Sequence, residues 1–164
     1  MTLVLVSSAA ALDVPVGQLR ALAQTYEPGV FLPTVFPRTV TKVDIGAATG
    51  IGNGPAPSHF LEYHAAAKGA FQLGVWRGDR FAAVVKGLLF HDGTRGATRP
   101  FTAGRFKGTR ETQTAFTAGK PNVVSYVWKG GGFTYMLVFL AKSGTTSPIF
   151  PGLNPLATIA SFKP

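Results

Sequence analysis

The sequence predicts an α+β domain: an antiparallel sheet of about six to eight strands with two short helices packed on it, one near each terminus. Three observations lead there. Residues 123–140 hold two runs rich in aromatic and β-branched side chains on either side of Gly130-Gly131-Gly132. Upstream, short runs of strand composition are separated by turn residues such as Arg77-Gly78-Asp79-Arg80 and His91-Asp92-Gly93-Thr94. Helical spacing stands out toward the two ends of the chain.

In chain order, residues 1–12 open with an apolar stretch and the small-residue tract Ser7-Ser8-Ala9-Ala10-Ala11. They read as the tail of a signal peptide or as a first strand. A positive n-region is missing, and the stretch is far too short to span a bilayer. The export reading is adopted, with residues 13–164 forming a single domain. Leu19, Leu22 and Ala23 predict a short helix over residues 17–25, broken by Tyr26-Glu27-Pro28-Gly29. Residues 30–37 are too proline-rich for a central strand and read as an extended edge or connector.

Residues 39–45 alternate well enough for a strand, and the glycine- and proline-rich residues 46–58 form a loop. Strands are expected at 59–64, 70–76, 81–90 and 100–106. A threonine ribbon follows over 109–117. Phe-Thr-Ala-Gly occurs at 101–104 and again at 116–119, which marks two similar strand exits in a meander rather than a repeat architecture.

In the hairpin of residues 123–140, Val124, Tyr126 and Trp128 share one face with period two, and Val123, Ser125 and Val127 the other. Both faces are largely apolar, so these strands should be central and covered on both sides. The glycines supply a three- or four-residue turn. The second face needs a cover, for which the segments at 17–25 and 153–162 are available. Asn154 is placed to cap a helix beginning at Pro155.

Composition narrows the chemistry. With 164 residues, 46% hydrophobic and 14% charged, the chain can bury a sizeable core and is not of disordered composition. The absence of cysteine rules out disulfides, thiolate metal sites and a cysteine nucleophile. Sixteen basic against seven acidic residues give a formal charge of +9, which favours polyanions such as nucleic acid, anionic lipid headgroups or acidic wall polymers.

The Gly-rich motifs fail on spacing. A Walker loop needs its lysine after the glycines and then a helix, whereas Lys129 precedes them and a strand follows. Gly50, Gly52 and Gly54 have the wrong spacing for a dinucleotide fingerprint, and Pro55 follows. The serines lack the G-x-S-x-G context, and the scattered acids suggest no carboxylate pair. No metal centre and no cofactor are expected.

Two clusters remain. In His59-Phe60-Leu61-Glu62-Tyr63-His64, Glu62 and His64 would share a strand face and, with His91, offer general acid–base chemistry of the small-ribonuclease kind. Between residues 77 and 120, Arg95, Arg99, Arg105, Lys107 and Arg110 form the densest run of anion-binding candidates. Phe101 and Phe106 are interleaved with them as aromatic contacts. That combination also suits single-stranded nucleic acid, though no RNP1-like string occurs.

Two separated pieces resemble a family. Phe31-Leu32-Pro33-Thr34-Val35-Phe36-Pro37 is similar to the "L-P-x-x-x-P" start of a domain of unknown function in exported bacterial lipoproteins and anti-sigma-factor-like proteins. The hairpin from Tyr126 to Tyr135, followed by the helix before Ser161, resembles that domain's ending. Residues 143–151 and the basic charge depart from it. The resemblance implies an extracytoplasmic binding or sensing module without catalytic residues. The combined expectation is a non-catalytic exported binding domain for an anionic or wall-associated partner, with no transmembrane segment. The alternatives are a basic hydrolase using Glu62, His64 and His91, and a nucleic-acid-binding module using residues 77–120.

Overall fold

The computed structural model describes residues 12–46, 57–65, 70–88 and 93–164. The expected start at residues 1–11, most of the loop at 46–58 and His91 lie outside them. Nine strands among the described residues build one fully antiparallel sheet, one more than the upper end of the expected range. They are β1 (Leu12–Pro15), β2 (Lys42–Gly46), β3 (His59–His64), β4 (Ala70–Arg77), β5 (Gly93–Arg95), β6 (Arg99–Ala103), β7 (Phe106–Ala115), β8 (Asn122–Gly130) and β9 (Phe133–Ala141). Three short helices join them: α1 (Leu19–Tyr26), α2 (Phe81–Gly87) and α3 (Pro155–Ala160). The class is α+β, as the sequence predicts.

The spatial order is β1-β2-β3-β4-β9-β8-β7-β5, with β6 also paired to β7. Two meanders therefore meet where β4 lies against β9, in register from Gln72 opposite Val138 to Arg77 opposite Phe133. β5 and β6 lie end to end along the outer edge of β7, so the expected strand at 100–106 is split. β6 ends at Ala103, Gly104 takes a φ of +57°, and β7 begins at Phe106.

The central hairpin is as two-sided as its composition demands. Gly130 pairs with Phe133, leaving Gly131 and Gly132 as a two-residue turn, shorter than expected. Their φ angles of +58° and +84° are what such a turn requires at both positions. On the first face Val124, Tyr126, Trp128, Tyr135, Leu137 and Phe139 are buried. Trp128 stacks on its register partner Tyr135 at 5.4 Å, and Phe162 meets both rings edge-on. The Tyr135 hydroxyl accepts a hydrogen bond from the Phe31 backbone N–H at 2.8 Å, tying the proline-rich connector to the sheet. Burial pushes that phenol up to about 12, partly countered by the same hydrogen bond.

The helices correct one expectation. α1, α3 and the connector all pack on the first face, through Leu19, Ala23, Leu32, Leu153, Ile159 and Phe162. The second face, with Trp76, Val127, Met136 and Val138, is covered by α2 instead. Residues 81–90 are thus not a strand over their length. Phe81, Val84, Val85 and Leu88 recur at helical spacing, and those four side chains pack on the second face. Arg80, just before the helix, donates its backbone N–H to Thr134 Oγ1 on β9. At the other end of the chain α3 starts as expected, Asn154 Oδ1 accepting from Ala157 N at 3.1 Å.

Candidate functional site

The five basic candidates part company in the fold. Arg95 is a clamp between elements. Its Nε donates to Glu111 Oε2 at 2.9 Å, and its terminal nitrogens reach the Val85 and Lys86 carbonyls at the end of α2. Glu111 is only 4% exposed, and burial raises its pKa against the opposing pull of Arg95. Arg105 donates to the Phe162 carbonyl and lies 5.0 Å from the ring centroids of Phe31 and Phe106. Both guanidinium groups hold the structure together. Lys107 is exposed, and strand alternation turns it to the face opposite Arg110.

Arg99 and Arg110 remain, and the register sets them directly opposite one another across β6 and β7. Neither side chain has an ion pair or hydrogen bond among the described residues. Like charges facing one another across an antiparallel pair are destabilising, so this placement is unfavourable for folding alone.

Both arginines line a groove of about 560 Å³. Its base is the outer half of β7, where Arg110, Thr112 and Thr114 share a face. One wall is the junction between β5 and β6. There Gly96 donates its N–H to the Thr112 carbonyl at 2.9 Å, and a Cβ on Gly96 would come within 2.2 Å of that oxygen. Only glycine permits the chain to run so close to β7 while shifting from one edge strand to the next.

The other wall is Asn122 and the turn at residues 144–147. That turn is held by Thr145 N–H to the Lys142 carbonyl and by Ser147 N–H to Thr145 Oγ1. Asn122, 3% exposed, donates from Nδ2 to the Thr145 carbonyl at 3.0 Å. Its Oδ1 finds no partner among the described residues. Among the described residues no carboxylate lines the groove.

The two aromatic candidates are inward-facing. Phe106 is 4% exposed and belongs to the core, which corrects its reading as a contact residue. Phe101 is half-buried, edge-on to Tyr126 at 5.0 Å. Phe116, at 71% exposure, is an open ring within the basic region.

For the acid–base trio the structure gives less. Glu62 lies on β3 and accepts from Gln72 Nε2 at 2.5 Å across the strand pair. His64 lies two residues further along, its Cα opposite those of Lys42 and Ala70. His91 is outside the described residues. Among the described residues no group of three or more histidine, aspartate and glutamate side chains is placed to hold a metal ion. No helix of the described residues is long and apolar enough to cross a membrane.

Sequence reasoning missed Thr112, Thr114, Asn122 and the turn at 144–147. The first two were within reach, since the threonine ribbon alternates and even-numbered positions fall on the face of Arg110. The turn belongs to residues 143–151, which the family resemblance leaves unmatched. Comparison of the chain with family models, with curated proteins and with solved structures returns no match.

Proposed function

We propose that this chain is a non-catalytic binding domain that takes an anionic group in the groove between β6–β7 and the turn at residues 144–147. The observation that carries the reading is the Arg99–Arg110 pair. Two fixed positive charges face one another in a groove with no carboxylate among the described residues, a costly arrangement that an oxyanion relieves. The chain's formal net charge of +9 adds long-range attraction for such a ligand. An exported setting, with a wall-associated polyanion as partner, fits this charge and rests otherwise on the sequence of residues 1–12 and on the family resemblance.

Titrating the whole chain with an inorganic polyphosphate at low and high salt tests the proposal. Binding that weakens with salt and is lost in Arg99→Thr/Arg110→Thr is the expected outcome. Binding that survives the double substitution would mean that the groove is not the site.

A further inference from the structure

The groove's walls say more about the ligand than its charge. Resting on the anion-binding reading above, we infer that the ligand is a hydroxyl-bearing phosphate, a phosphorylated sugar or polyol, either free or as the repeating unit of a polymer. A bare oxyanion uses donors alone, and the two guanidinium forks already supply donors suited to bidentate phosphate contact.

The rest of the lining mixes donors with acceptors. The hydroxyls of Thr112, Thr146 and Ser147 can do both. Asn122 adds an amide whose orientation is set by its partner, because Nδ2 must face the Thr145 carbonyl. That leaves Oδ1 as a buried acceptor without a donor among the described residues. A buried acceptor left unmade is unfavourable, and a ligand hydroxyl supplies what it lacks. Oδ1 is closed to solvent, so a ligand hydroxyl meets it only if the turn at residues 144–147 is displaced.

The same lining argues against a nucleobase. Binding of single-stranded nucleic acid draws on aromatic faces for stacking, and among the described residues no aromatic ring lines this groove. Phe106 is in the core and Phe101 packs against Tyr126. The groove volume suits a compact polar ligand.

Calorimetric titration of the whole chain tests this with glycerol 3-phosphate, glucose 6-phosphate, inorganic phosphate and a thymidine oligonucleotide. A poly(glycerol phosphate) arm separates the free from the polymeric source. The inference expects the better of the two organic phosphates to bind at least about fivefold more tightly than inorganic phosphate, the worth of one or two net hydrogen bonds. Thr112→Val, which keeps shape and removes the hydroxyl, should narrow that ratio. Equal affinity for all three small phosphates overturns the inference and leaves the anion site standing. An oligonucleotide binding more tightly per phosphate than the polyol polymer, and lost with Arg99→Thr/Arg110→Thr, also overturns it. Binding indifferent to the two arginines, or no binding at all, removes the underlying reading instead.

Discussion

Replacing Arg110 by threonine should leave the fold as stable as before or make it more stable, although Arg110 is half-buried in a central region of β7. Arg110 faces Arg99 in register. A like-charged pair directly opposite across strands costs about 0.2–1 kcal/mol. Threonine has high strand propensity, and its branched Cβ replaces part of the packing of the arginine stem. The net expectation is a gain of up to about 1 kcal/mol, or about 2–4 °C in Tm for a chain of this size.

The gain is electrostatic, so it should shrink with salt. Urea denaturation at about 0.01 M salt, where the Debye length is about 30 Å, should show it, and at about 1 M, where that length is about 3 Å, it should largely vanish. Arg95→Ala is the contrasting variant. It leaves the buried Glu111 carboxylate without its guanidinium and should destabilise by about 1–3 kcal/mol. A loss of more than about 1 kcal/mol in Arg110→Thr at low salt would show instead that Arg110 serves the fold as Arg95 does.

Three further outcomes follow from the same contacts. Gly96→Ala would drive a Cβ to 2.2 Å from the Thr112 carbonyl, a backbone atom that cannot swing away. The β5–β6 junction should therefore lift from β7, seen as faster hydrogen exchange at the backbone N–H of position 96 and weaker anion binding, and unchanged exchange would contradict the geometry. Leu88→Ala, at a site 2% exposed beneath α2, should cost about 2–5 kcal/mol by denaturation. A smaller cost would mean that the second face is not sealed there. Glu111 has its folded pKa raised above the ordinary 4.5 by burial. Its contribution is complete below that value and is lost as pH rises through the folded pKa. Stability should thus fall over the interval just above pH 4.5, and Glu111→Gln should flatten that slope. The exposed Asp79, lowered by its hydrogen bond from Lys129, acts in the opposite direction at lower pH.

The sheet was legible in the sequence where side-chain periodicity is strong. The alternation of Val124, Tyr126 and Trp128 against Phe133, Tyr135 and Leu137 identifies two central strands, because only burial on both faces tolerates apolar residues at every position. The N-cap at Asn154 was equally readable, since a capping side chain followed by proline has a local cause. Residues 81–90 were misread because Phe81, Ala82, Ala83, Val84 and Val85 form a short apolar run that suits a strand or a helix alike. Tertiary context decides it, since the open second face of β8 and β9 requires a helix there.

The site was legible in part. A dense run of cations is visible in the sequence, but which of them are occupied depends on contacts between distant segments. Arg95 meets Val85 and Glu111, and Arg105 meets Phe162. Register alone reveals that Arg99 opposes Arg110. Asn122 and the turn at residues 144–147 join the groove through the β8–β9 pairing, which brings Asn122 opposite Ala141. No local pattern announces that.

The most direct test is to follow the backbone amides of the whole chain by NMR while adding glycerol 3-phosphate. Saturable shifts concentrated at Gly96, Arg99, Arg110, Thr112 and residues 144–147, and absent from the Arg99→Thr/Arg110→Thr variant, are expected if the groove is the site. Shifts centred instead on β3 around Glu62, or spread evenly over the basic surface, would contradict it.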